Sequence, residues 1–90
     1  MLWISKSVDD RQSISRTDLQ SAIANAVKQS DPDCKAFIDV IVEYTRPKSR
    51  LGANWVIKGV RFGKSDRQKA HHAIALIVEQ LQREFSLSES

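Results

Sequence analysis

The chain has ninety residues, 41% apolar and 28% charged, which suits one globular domain rather than a disordered chain. At this length a fold buries somewhat over about 60% of its unfolded surface, enough for one modest core. The lone cysteine, Cys34, excludes an intramolecular disulfide, and the longest apolar run, residues 73–78, falls far short of the roughly 20 residues of a membrane span.

Residues 1–7, MLWISKS, read as a short strand or as a tail that tucks Trp3 onto the core, and residues 8–13 read as a connector. Ser15 is a good helix N-cap with Asp18 three residues on, and Ile14 and Leu19 stand at hydrophobic-staple spacing. Thr17 with Gln20 is an alternative capping box. Leu19, Ala22, Ile23, Ala26 and Val27 then repeat as one face of an amphipathic helix. Asp31 before Pro32 ends it, because proline disfavours helical geometry in the residue before it.

Residues 37–46, FIDVIVEYTR, are β-branched and alternate with period two, which predicts a strand with Ile38, Val40, Val42 and Tyr44 on one face. Residues 47–54 contain Pro47 and Gly52 and read as a loop. Residues 55–62, WVIKGVRF, predict a second strand whose alternation breaks at Gly59. A bulge there would set Trp55, Ile57, Val60 and Phe62 on one face and turn Lys58 and Arg61 outward.

Ser65, with Gln68 at the capping-box position, predicts the start of a second helix. Its apolar face runs through Ala70, Ala73, Ile74, Ile77, Val78, Leu81 and Phe85. Residues 86–90 read as a flexible tail. The expected class is therefore α+β, in one domain over residues 15–85 with 1–14 as N-terminal strand or tail. Its order is helix, strand, strand, helix, an antiparallel hairpin covered by two helices. An isolated two-stranded hairpin is marginal, so the sheet is expected to be completed either by residues 2–5 as a third strand or by dimerisation through a strand edge. Leu76, off the main apolar face, adds slight weight to a homodimer.

The net charge of +3 is unevenly spread. Residues 46–69 hold eight bases (Arg46, Lys48, Arg50, Lys58, Arg61, Lys64, Arg67, Lys69) against one acid, Asp66, while both flanking segments are net negative. Such a block is the usual footprint of a polyanion partner. The stretch GKSDRQKAHHAI also loads Lys64, Arg67 and Lys69 onto a helix start, which is the positive end of the helix dipole. Cations there oppose the dipole but suit a phosphate. In a hairpin, Arg46, Lys48 and Arg50 lie at one end and Lys64, Arg67 and Lys69 at the other, about 25 Å apart at roughly 3.3 Å per residue. An extended nucleic acid, RNA or DNA, reaches both; a nucleotide or metabolite does not. An acidic protein docked by the same patch is the alternative.

The segments RPKSR and GKSDRQKAHHAIALIVEQL, at the hairpin loop and the last helix, resemble the RNA-contacting segments of the double-stranded RNA-binding domain. The similarity is one of topology over residues 15–85 and implies backbone contact from the loop and the last helix. That family has a third strand before its last helix and a tight lysine cluster on it, and neither is present here.

No catalytic constellation appears, so a non-catalytic protein without cofactor is expected. Gly52, Gly59 and Gly63 are too sparse for a phosphate-cradling loop. His71 and His72 are adjacent, so on a helix they point about 100° apart and do not share a metal. Cys34 reads as a buried, inert thiol and Trp3 and Trp55 as core rather than stacking platforms. A single thiol, with only a short apolar stretch ahead of Asp9 and Asp10, makes the cytoplasm the expected location.

Overall fold

A computed structural model describes residues 11–47 and 52–88. In chain order the elements are β1 (Gln12–Ile14), α1 (Arg16–Ser30), a 3-10 turn (Pro32–Cys34), β2 (Asp39–Tyr44), β3 (Trp55–Arg61), α2 (Arg67–Glu84) and β4 (Phe85–Leu87). The α+β class and the helix, hairpin, helix order are as expected.

Helix α1 starts where its capping chemistry puts it. Ser15 is extended, and its hydroxyl oxygen accepts from the Asp18 N–H at 3.1 Å. Asp18 in the first turn and Lys28 in the last both suit the dipole. Leu19, Ile23 and Val27 are fully buried, but Ala24 is buried in place of Ala22, which is exposed. The stripe is turned this way because α1 is packed by β2 and by α2 at once. Asp31 ends the helix in extended geometry, and its carboxylate then accepts from the Asp33 N–H at 2.8 Å to open the 3-10 turn. That turn carries Cys34 into the core.

Strands β2 and β3 pair antiparallel, Asp39 opposite Arg61 at one end and Tyr44 opposite Trp55 at the other. Ile41 faces Gly59 while Val42 faces Ile57, so Lys58 is the extra residue of a bulge. The bulge brings Trp55, Ile57 and Val60 onto the face shared by Val40 and Val42, and leaves Lys58 and Arg61 exposed. The regular strand β2 is shorter than residues 37–46. Phe37 is buried ahead of it, and Ile38 and Tyr44, at its two ends, stay 49% and 41% exposed.

Residues 2–5 lie outside the described residues, and among those described the hairpin remains two-stranded. Each strand instead meets a helix glutamine: the Val42 N–H donates to Gln20 Oε1 at 2.8 Å, and Gln82 Nε2 donates to the Trp55 carbonyl at 2.8 Å. Gln12 and Ser13, read as the end of a connector, and Ile14, read as a staple residue, form β1, which pairs in parallel with β4. The expected tail therefore begins as a strand. Leu87 is buried, and the Ser88 N–H donates to the Ile14 carbonyl at 2.8 Å. The alternation of Phe85, Ser86 and Leu87 is the cause, an apolar period of two directly after a helix.

This second ladder closes over the start of β3. Trp55 Nε1 donates to the Phe85 carbonyl at 3.2 Å, and the Asn54 side chain bonds both the Leu87 N–H and its carbonyl. Among the described residues Trp55 is the largest fully buried side chain, so the core is anchored where the hairpin, the end of α2 and β4 meet.

Candidate nucleic-acid interface

At the loop end of the hairpin, the Thr45 N–H donates to the Asn54 carbonyl at 2.8 Å and carries pairing one step past the ladder. Arg46 follows immediately and is exposed. Lys48 and Arg50, the other two cations assigned to this end, lie outside the described residues.

The opposite end is built on a tight turn from Phe62 to Ser65. Gly63 takes φ 61°, and both the Ser65 N–H and its hydroxyl donate to the Phe62 carbonyl, at 3.2 and 2.6 Å. Ser65 is thereby buried and engaged, and it does not cap α2 as its sequence position predicts. The cap is Asp66, whose carboxylate accepts from the Lys69 N–H at 2.9 Å. The Asp66 N–H donates to the Asp33 carbonyl at 3.0 Å, which ties this helix start to the 3-10 turn.

The cations of the central block divide into two groups. Arg61 holds Asp39 directly across the hairpin, with Arg61 Nε 2.7 Å from Asp39 Oδ1 and a second bond to Oδ2. This hydrogen bonding lowers the Asp39 pKa and raises that of Arg61. Lys58 lies 3.7 Å from Glu43. Lys69 donates to Asp33 and lies 3.9 Å from Asp31, and its pKa is raised first by the Asp33 bond and then by the charge of Asp31. The structure thus answers part of the puzzle of the cationic helix start: Lys69 is balanced by the chain's own carboxylates.

Arg46, Lys64 and Arg67 form the second group. None of them has a carboxylate partner among the described residues. Arg67 is placed by another force, its guanidinium carbon lying 5.2 Å from the centroid of the Phe62 ring. Phe62 is steadied from behind by Phe37, edge to face at 6.1 Å and 80°. An open groove of about 560 Å³ runs beside this stack, lined by Phe62, Arg67, Gln68, His71, His72 and Ala75. Phe62 and Gln68 as surface residues of a site were not legible in the sequence, where Phe62 read only as core and Gln68 only as a capping residue. Nor was the Lys69–Asp33 pair, which joins residues 36 apart in the chain.

Among the described residues no group of three His, Cys, Asp or Glu side chains comes together to hold a metal. No helix among them is long and apolar enough to cross a membrane. No protein-family model, curated protein or solved structure matches this chain. The resemblance to the double-stranded RNA-binding domain accordingly stops at a hairpin between two helices: only the turn lies between β3 and α2, and the added strand β4 follows the last helix.

Proposed function

We propose that this chain is a small, non-catalytic nucleic-acid-binding module that contacts a sugar–phosphate backbone from the two ends of its hairpin. Arg46, followed by Lys48 and Arg50, serves the loop end. Lys64 and Arg67 serve the end where α2 begins. The observation that carries the reading is the placement of Arg46 at one end of the hairpin and of Lys64 and Arg67 at the other, each without a carboxylate partner among the described residues. Six paired residues at about 3.3 Å each put roughly 20 Å between the ends. A compact anion cannot span that distance, whereas duplex nucleic acid carries one charge per about 1.7 Å of its axis. Lys69 contributes less, because Asp33 and Asp31 already hold its ammonium. Contacts of this kind set orientation more than sequence preference.

The test is salt-dependent binding of labelled strands and duplexes, followed by fluorescence anisotropy. Log affinity is expected to fall linearly with log salt, with a slope of about −0.9 per phosphate contact on duplex. Reversing Lys64 and Arg67 together to Glu should lower affinity at least tenfold and flatten that slope, and Arg46→Glu should act in the same direction. Both losses should appear together only on ligands longer than about six base pairs, at roughly 3.4 Å per step. A protein that binds none of these ligands at low salt is not a nucleic-acid-binding module.

A second reading is an adaptor that docks an acidic protein or a second copy of itself. It is favoured by the outer face of the hairpin, where Ile41, between the Asp39–Arg61 and Glu43–Lys58 pairs, and Val56, opposite Glu43, are 43% and 41% exposed. A stable dimer with no affinity for nucleic acid would select it.

A further inference from the structure

We infer that the groove beside the start of α2 is a stacking site for an unpaired base, and hence that the preferred ligand is a single-stranded nucleic acid. This rests on the nucleic-acid reading above and adds to it a base contact that phosphate binding alone does not require. The groove, about 560 Å³, is within the range of small-ligand sites. Phe62 and Arg67 both line it. Phe62 is backed by Phe37, which is buried, so the ring is held in one place. Arg67 stands over that ring, its guanidinium carbon 5.2 Å from the centroid, and the planar guanidinium has a second face. A base laid on that second face would extend the stack by one layer, with little ordering left for the arginine to undergo.

The surrounding side chains suit the edges of a base. Gln68 offers both a donor and an acceptor, and His71 and His72 offer imidazoles that stack or hydrogen-bond. Lys64, exposed in the turn three residues before Arg67, supplies a charge for the adjoining phosphate. The contrast with the other cations supports the assignment. Arg61, Lys58 and Lys69 are held by carboxylates of the chain, whereas Arg67 is held by an aromatic ring and has no carboxylate partner among the described residues. Only an unpaired strand presents base faces to such a platform, since in a duplex they are stacked inside.

The experiment compares a labelled single strand, an abasic strand of the same length and charge, and a duplex, each at one low salt concentration. The single strand is expected to bind about tenfold or more tightly than the abasic strand, in line with one stacked base. Arg67→Lys keeps the charge and removes the plane. It should bring the ratio of single-strand to abasic affinity close to one, and His71→Ala should lower the same ratio in part. Equal binding of the single strand and the abasic strand by the unmutated protein would overturn the stacking site while leaving phosphate binding standing. So would a preference for duplex, or a ratio unmoved by Arg67→Lys. Binding of none of the three would overturn both readings together.

Discussion

Gly63 has a φ of 61°, and a Cβ added there would lie 2.5 Å from the Ala36 carbonyl oxygen and 3.0 Å from Ile38 Cγ1. Left-handed geometry alone costs a residue with a side chain about 1–2 kcal/mol. The nearer obstacle is backbone, which cannot swing away as a side-chain tip can. Gly63→Ala should therefore destabilise the protein by more than about 2 kcal/mol, read as a lower urea midpoint. Gly59 is the internal control. Its φ is not positive, and a Cβ there would meet only Ile41 side-chain atoms at 3.6 Å and beyond. Gly59→Ala should be neutral or stabilising by up to about 1 kcal/mol, because it removes freedom from the unfolded chain. The difference matters for function, since the turn at Gly63 holds Phe62 under Arg67 and sends Lys64 outward.

The start of α2 shows stability and charge acting at the same element. Asp66 caps the helix and is also the one acid inside the basic block. Asp66→Ala should cost about 1 kcal/mol of stability through the lost cap. The same change removes a negative charge beside Lys64 and Arg67, so affinity for a polyanion should rise. A thermal melt and a binding titration on the one variant would show these opposite directions, and a variant that loses both stability and affinity would contradict the assignment. The identity of this cap was only half legible in the sequence. Both helices, the two hairpin strands and the bulge were readable, because apolar spacing records which face is buried and a broken alternation records an extra residue. Ser65 and Asp66 are adjacent and equally good caps by type. The choice between them is made by the Phe62 carbonyl, which takes the Ser65 hydroxyl, and no local pattern encodes that. For the same reason Lys69 read as a free cation: its partners Asp31 and Asp33 sit in a turn that only the folded chain brings near.

At the scale of the whole molecule, the two ends of the described chain lock the middle. β1 and β4 pair in parallel across some seventy residues of sequence, and β4 lies over the first residues of β3. What β4 supplies can be named: the buried Leu87 side chain, the carbonyl that receives Trp55 Nε1, and the two backbone groups that satisfy Asn54. Burying a leucine contributes about 1.5–3 kcal/mol, and each hydrogen bond roughly 1 kcal/mol net. Against a total stability of about 5–15 kcal/mol for a small domain, that sum is a large share. A chain ending at Glu84 should accordingly lose most of its cooperative melt and its near-ultraviolet dichroism, even though both helices and the hairpin remain encoded in it. Asn54→Ala, which keeps β4 and removes only the side-chain bonds to Leu87, should cost less, about 2 kcal/mol, and still unfold in one transition. If instead the truncated chain melts as cooperatively as the full one, the clasp is an ornament of the fold. The helices and hairpin would then form the independent unit, and the proposed base-stacking groove, which contains no residue of β1 or β4, would be expected to survive with it.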